Sequence, residues 1–264
     1  MGVSGVKDKK YIFPLEQKAC TNGIKKYDFA PEPFFKTSKP PIRLQDVKTK
    51  EDVTRLTGYS QEFIDILIAH EGFKTKPYKD IAGKKTVGIG HNISADSKYK
   101  FGKNELSESQ IYQLLAQDLL IVKKGIKELI GDTKLKPHQH EALSDLAFNV
   151  GIEGLKETKL IKQIKEGQLK QAAANFNFVT FNKGKVSTAL CKRRIDDINL
   201  FYKNNHSIAS VYAMENIAFR ARVKFSQQLN NANWYKKPYI NLNKNRFERE
   251  VQQIIEKARK QINK

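Results

Sequence analysis

Three short stretches of this chain hold groups that could do chemistry together: His70-Glu71-Gly72, then Tyr78-Lys79-Asp80, then Thr86-Val87-Gly88-Ile89-Gly90-His91. Eight residues separate Glu71 from Asp80 and five separate Asp80 from Thr86, so two carboxyls and a hydroxyl fall on successive local elements. Two acids carried by different elements can flank one bond. Ser60-Gln61-Glu62 reads as a helix start, a short polar N-cap with an acid in the first turn, and Phe63, Ile64, Leu67 and Ile68 recur behind it at helical spacing. Gly72 ends that helix and leaves Glu71 in its last turn, beside the apolar face. A carboxyl pressed against apolar surface tends to keep its proton, and a protonated carboxyl is what a general acid needs. Beyond Pro77, the segment from Lys79 to His91 is punctuated by Gly83, Gly88 and Gly90 and predicts a small hairpin or sheet. Asp80 stands at its lip among Lys76, Lys79, Lys84 and Lys85, a wet and basic setting that favours the ionised form. One neutral acid and one carboxylate, set apart by their environments, is the pair with which glycosidic bonds are hydrolysed.

The elements that must hold these groups are mainly helical. Leu106-Ser107-Glu108 opens a long helix through Ile111, Leu114, Leu115, Leu119, Val122, Ile126 and Ile130, stopped by Gly131. Pro137 at a first helical position opens the next, through Leu143, Leu146, Ala147 and Val150 to Gly151. Shorter helices are expected over 158–166 and 169–176, then a loop over 182–185 and a helix over about 187–202. Residues 208–229 also carry enough Val, Ile, Ala and Phe for a helix.

With these residues in view, the sequence resembles the phage-type lysozymes, glycoside hydrolase family 24, which includes many endolysins. Glu71, Asp80 and Thr86 in register with the following Gly, Gly and His look like that family's catalytic helix end and hairpin. Ala147-Phe148-Asn149-Val150-Gly151 is similar to the helix that walls its cleft, and Ala189-Leu190-Cys191-Lys192-Arg193-Arg194, with Asp197 and Leu200-Phe201, resembles its closing signature. Ala189 stands there for the usual Gly and Asp197 for the usual Glu. The resemblance covers about residues 58–204. It implies an α+β, mainly α, two-lobed lysozyme-like fold, with a small β-hairpin lobe and a helical lobe joined by the long helix at 107–130. It implies a muramidase that cuts the β-1,4 bond between N-acetylmuramic acid and N-acetylglucosamine, with Glu71 as acid, Asp80 orienting a water for inversion, and Thr86 helping to hold that water. Asn92, Phe148 and Asn149 become candidate substrate-binding residues, and His91, Arg193 and Arg194 structural residues near the site. No cofactor is implied. His91 has no second His, Cys or carboxylate at ligand spacing, so a structural hydrogen bond is expected of it rather than a metal. Phe148 reads equally as core, whereas Asn149 suits sugar amides; Arg193 and Arg194 offer a partner for Glu71 or for the helix around it.

Charge gives the second signal. The 264 residues hold 48 Lys and Arg against 28 Asp and Glu, a net +20. Residues 1–57 carry 12 basic against 7 acidic residues, 58–205 carry 24 against 17, and 206–264 carry 12 against 4, so the excess is densest at the C-terminal end. Such a field attracts any polyanion, whether peptidoglycan, teichoic acid, lipopolysaccharide or nucleic acid; the resemblance selects bacterial peptidoglycan, makes nucleic acid an unexpected partner, and leaves the oligomeric state open. A non-catalytic wall- or nucleic-acid-binding structural protein on the same fold is the alternative. No run of eighteen apolar residues is present, and residues 1–10 lack an apolar signal core. The expectation is therefore a protein made in the cytoplasm that acts on the wall after release or delivery. Cys20 and Cys191 are expected as free thiols.

The flanks are expected to be extensions of the 58–205 domain. Residues 1–57, with Pro14, Pro31, Pro33, Pro40 and Pro41 among aromatics and lysines, predict an extended arm. Within 206–264, Phe247, Val251, Ile254, Ile255, Ala258 and Ile262 make an apolar stripe backed by Lys and Arg. That stripe suits docking onto the parent domain, a lipid or wall surface of an anionic envelope that the helix of residues 243–264 would grip, or contact with a partner helix.

Overall fold

The computed structural model describes residues 42–79, 83–93, 105–178, 180–182 and 185–263. They fall into two compact units, one of residues up to Gly58 together with Glu71–Ala116, the other of Tyr59–His70 with Gln117–Lys264.

In the first unit, residues 42–57 are not the extended arm expected of them. A 3-10 turn at Leu44–Asp46 leads to helix α1, Lys50–Thr57. Thr49 and Asp52 close a capping box, the Asp52 amide donating to Thr49 Oγ1 at 3.3 Å and the Thr49 amide to Asp52 Oδ2 at 3.2 Å, a three-residue signal that the prolines before it obscured. Val47 and Val53 are fully buried, and the Gln113 amide donates to the Gln45 and Val47 carbonyls at 3.2 Å. Strands β1 (Lys74–Lys79), β2 (Lys85–Gly88) and β3 (His91–Asn92) form an antiparallel sheet in that order. Strand β1 begins before Pro77 rather than after it, because the edge position and a register irregularity between Lys74 and Tyr78 accommodate a residue without an amide hydrogen. Val87 and Ile89 are buried, and Gly88, at φ +65°, leaves only 3.3 Å between a Cβ built on it and Ile111 Cγ2.

Helix α2, Gln61–Glu71, leaves the second unit and ends in the first; α3, Glu108–Ile130, does the reverse. In the second unit α4, Pro137–Val150, is buried from Gln139 to Ala147, as a helix packed on all sides should be. The short helices α5 (Ile152–Lys156), α6 (Lys159–Lys165) and α7 (Leu169–Ala172) follow; of these the sequence reading missed α5. Gly125 of α3 faces Ile152 of α5 at a distance only a glycine allows, a built Cβ falling 2.5 Å from Ile152 Cγ1. The expected loop over 182–185 is instead flanked by a two-stranded ribbon, β4 (Phe181–Asn182) with β5 (Lys185–Val186).

Three long helices complete the unit: α8 (Thr188–Phe201), α9 (Ile208–Asn231) and α10 (Lys237–Ile262). Residues 206–264 therefore pack as part of the helical unit. Phe247, Val251, Ile255 and Ala258 of α10 are buried, with the Phe247 ring 5.7 Å from that of Phe225 on α9. Arg222 pairs with Glu248 at 2.9 Å and Arg259 with Glu215 at 2.5 Å, which fixes α9 and α10 antiparallel. Four of the six residues of the expected apolar stripe are thus taken up by packing within the unit, and Ile254 and Ile262 are half-buried.

Candidate active site

Glu71 is the last residue of α2 and half-buried. The helix is fixed at its start, where the Phe63 amide donates to Ser60 Oγ at 3.1 Å and the Ser60 amide donates to Glu141 Oε1 at 2.7 Å. It stops at Gly72, whose φ of +78° sends the chain directly into β1. Thr86 lies buried on β2, opposite Tyr78 of β1 and Asn92 of β3, and its hydroxyl donates to the Lys84 carbonyl at 3.3 Å. Asn92 is half-buried, and His91 is buried opposite Val87. Asp80, like Cys20, lies outside the described residues.

The residue before the acid is held by a buried ionic network in the second unit. His70 Nδ1 lies 3.0 Å from Asp145 Oδ1 and Nε2 lies 3.1 Å from Asp196 Oδ2. Arg193 donates through Nε to Asp145 Oδ2 at 2.7 Å and through Nη2 to the Asp145 carbonyl at 3.1 Å. Arg194 Nε sits 2.8 Å from Asp197 Oδ2, and its Nη1 donates to Asn149 Oδ1 at 3.4 Å. The Asp145 and Arg194 side chains are fully buried. Burial opposes a charged imidazole at His70, but the bonds to Asp145 and Asp196 outweigh it and carry its pKa up to about 9. Burial also favours a neutral Asp145, yet the Arg193 guanidinium and His70 hold that carboxyl well below the usual carboxylate range. Asp197 goes the other way: burial pushes it well above its ordinary value, Arg194 opposes this, and the charge on Asp145 adds to it. The aspartate that stands for the family's usual Glu is thus a buried partner of Arg194.

Through Asp145, Arg193 is tied to His70, the residue before Glu71 on α2. Sequence reasoning missed Asp145 and Asp196 and gave His70 no role of its own. The available signal was Asp145 itself, an acid in the apolar centre of α4, four residues before Asn149. Phe148 and Asn149 are both half-buried on α4, and the Arg194 contact orients the Asn149 amide. Cys191 is a buried free thiol whose pKa burial raises to about 11. Among the described residues, no group of three His, Cys, Asp or Glu side chains could hold a metal ion.

The sequence model of the family described as phage lysozyme matches residues 68–197. The chain is 30% identical over 137 residues to the SAR-endolysin of Escherichia phage Mu, covering 52% of this chain and 77% of that one. The chain belongs to the phage lysozyme family. It is also 31% identical over 144 residues to the endolysin of Bacillus phage B103, covering 54% of this chain and 53% of the relative, so that it spans about half the length of that protein. The crystal structure of the active form of the P1 phage endolysin Lyz superimposes with a TM-score of 0.51 at 18% identity, over 59% of this chain and 94% of that one, which bears out the lysozyme-like fold. Within this family assignment, the matched span includes Glu71, Asp80, Thr86, Asp145, Arg193 and Arg194 and stops before α9 and α10.

Proposed function

We propose that this phage lysozyme family member is a peptidoglycan hydrolase, a muramidase that cleaves the β-1,4 bond between N-acetylmuramic acid and N-acetylglucosamine. The observation that carries the reading is Glu71 at a helix end held by a neighbouring buried ionic network, with the sheet bearing Thr86 following directly. Glu71 would protonate the leaving oxygen. Asp80 would orient a water on the opposite face, and Thr86 would help to position it. Inversion follows from a water placed between carboxyls about 6.5–9.5 Å apart. Phe148, Asn149 and Asn92 are proposed to contact sugar, with Asn149 offering its amide hydrogens while Arg194 occupies its oxygen. The enzyme would meet its substrate on the cell wall after release or delivery.

The test is release of soluble glycan fragments from purified peptidoglycan, with mass analysis for muramic-acid reducing ends and NMR of the first-formed anomer. Glu71→Gln keeps the shape of the carboxyl but cannot donate the proton, so lysis should disappear while the melting curve is kept. A variant with near-normal rates would remove Glu71 from the acid role, and product with retained configuration would remove the single-displacement step. Wild-type protein that sediments with peptidoglycan yet releases nothing would instead establish the non-catalytic wall-binding alternative.

A further inference from the structure

The connection between α9 and α10 carries a surface that wall hydrolysis does not use. Phe225 and Phe247 are the last buried side chains on the two helices toward that connection, and none of the residues 226–246 is buried. With a rise of 1.5 Å per residue, the start of α10 reaches about 15 Å beyond Phe247. On this finger Trp234 is 84% exposed, Tyr239 70%, Leu242 67% and Tyr235 57%. Trp234 is the single tryptophan of the chain. The Trp234 and Tyr235 rings meet edge-on with centroids 6.1 Å apart, and Lys236 Nζ lies 5.6 Å from the Tyr235 ring centre. Lys236, Lys237 and Lys244 stand among them, Arg246 pairs with Glu250 at 2.9 Å at the finger's base, and no acidic residue occurs between Glu215 and Glu248.

A cluster of large apolar side chains kept in water on a projecting hairpin is costly unless something covers it. Trp and Tyr, apolar in body and polar at the tip, suit a boundary between an apolar and a wet phase. Lysine stems lie along apolar surface while their ammonium groups stay among anions. The absence of any acid on the finger makes its charge complementary to an anionic surface. A projecting tip can enter a soft interface but offers no groove for a sugar chain, and the aliphatic Leu242 is no stacking platform. We propose that residues 226–246 dock this protein peripherally on an anionic phospholipid bilayer, with Trp234, Tyr235, Tyr239 and Leu242 entering the headgroup region and Lys236, Lys237 and Lys244 pairing with lipid phosphates. This is attachment and not spanning, since among the described residues no helix is long and apolar enough to cross a membrane. The proposal does not depend on the hydrolase reading.

Because Trp234 is the only tryptophan, the intact chain reports on its own docking. Titration with vesicles of phosphatidylglycerol and phosphatidylcholine should blue-shift its emission, protect it from iodide, and carry the protein into the vesicle pellet. Vesicles of phosphatidylcholine alone should do none of these. Lys236→Gln and Lys237→Gln should each weaken vesicle binding by about fivefold, and Trp234→Ala combined with Tyr239→Ala should abolish sedimentation while leaving the melting curve and fragment hydrolysis unchanged. Absence of a shift at low salt, equal binding to neutral vesicles, or undiminished sedimentation of the double variant would each overturn the proposal. A blue shift produced by soluble glycan oligomers or by DNA, and not by vesicles, would overturn it in favour of those ligands.

Discussion

Asp145→Asn tests whether the buried ionic network holds the helix that ends in Glu71. The Asp145 side chain is fully buried, and it faces Arg193, 7% exposed, at 2.7 Å and His70, 11% exposed, at 3.0 Å. The amide keeps the shape and some of the hydrogen bonds but removes the only fully buried charge that balances both cations. Removing one partner of a buried pair costs about 3–5 kcal/mol, most of it the penalty of the charge left behind. For a domain of this size each kcal/mol lowers Tm by about 2–4 °C, so the variant should melt about 6–20 °C below the parent. Thermal unfolding followed by circular dichroism, with urea titration for the free energy, measures this. Adding Arg193→Met to Asp145→Asn removes the stranded guanidinium and should recover part of the loss, a non-additivity that a double-mutant cycle reads directly. A loss below about 1 kcal/mol, or strictly additive effects, would refute the network as the support of α2.

Stability should depend on pH through the same groups. His70 is raised from 6.5 to about 9, so its contribution, on the order of 3 kcal/mol, is complete below pH 6.5 and lost as pH rises through about 9; Asp145, held low, contributes above its ordinary value and loses that contribution in acid. A melting temperature that stays flat from pH 6 to 10 would contradict the first half of this expectation. Deleting residues 243–264 removes Phe247, Val251 and Ile255 from the core, at about 1.5–3 kcal/mol each. That is comparable to the whole stability of a typical domain, so the truncated chain should lose cooperative melting and hydrolysis together; melting within a few degrees of the parent would show that α10 is dispensable.

Much of this was legible in the sequence because the signals are local. Ser60 and Gly72 bracket α2, Pro137 and Gly151 bracket α4, and Leu106 to Gly131 delimits α3, each by capping chemistry and apolar period that need no neighbour. The spacing of Glu71, Asp80 and Thr86 belongs to the same class of information, and it was enough to point to the family. The partners of charged groups are decided elsewhere, by packing between elements distant in sequence. His70 reaches Asp145 and Asp196 across 75 and 126 residues. Nothing in the segment around Arg193 announces Asp145 as its partner, and only the packing of α8 on α4 brings the two together. In the same way the periodicity of α10 determined that it has an apolar stripe, but a stripe has the same sequence whether it faces a membrane or a helix. Burial against α9 took the stripe and left the finger's aromatic residues exposed, because period is a property of the segment and its partner is a property of the fold.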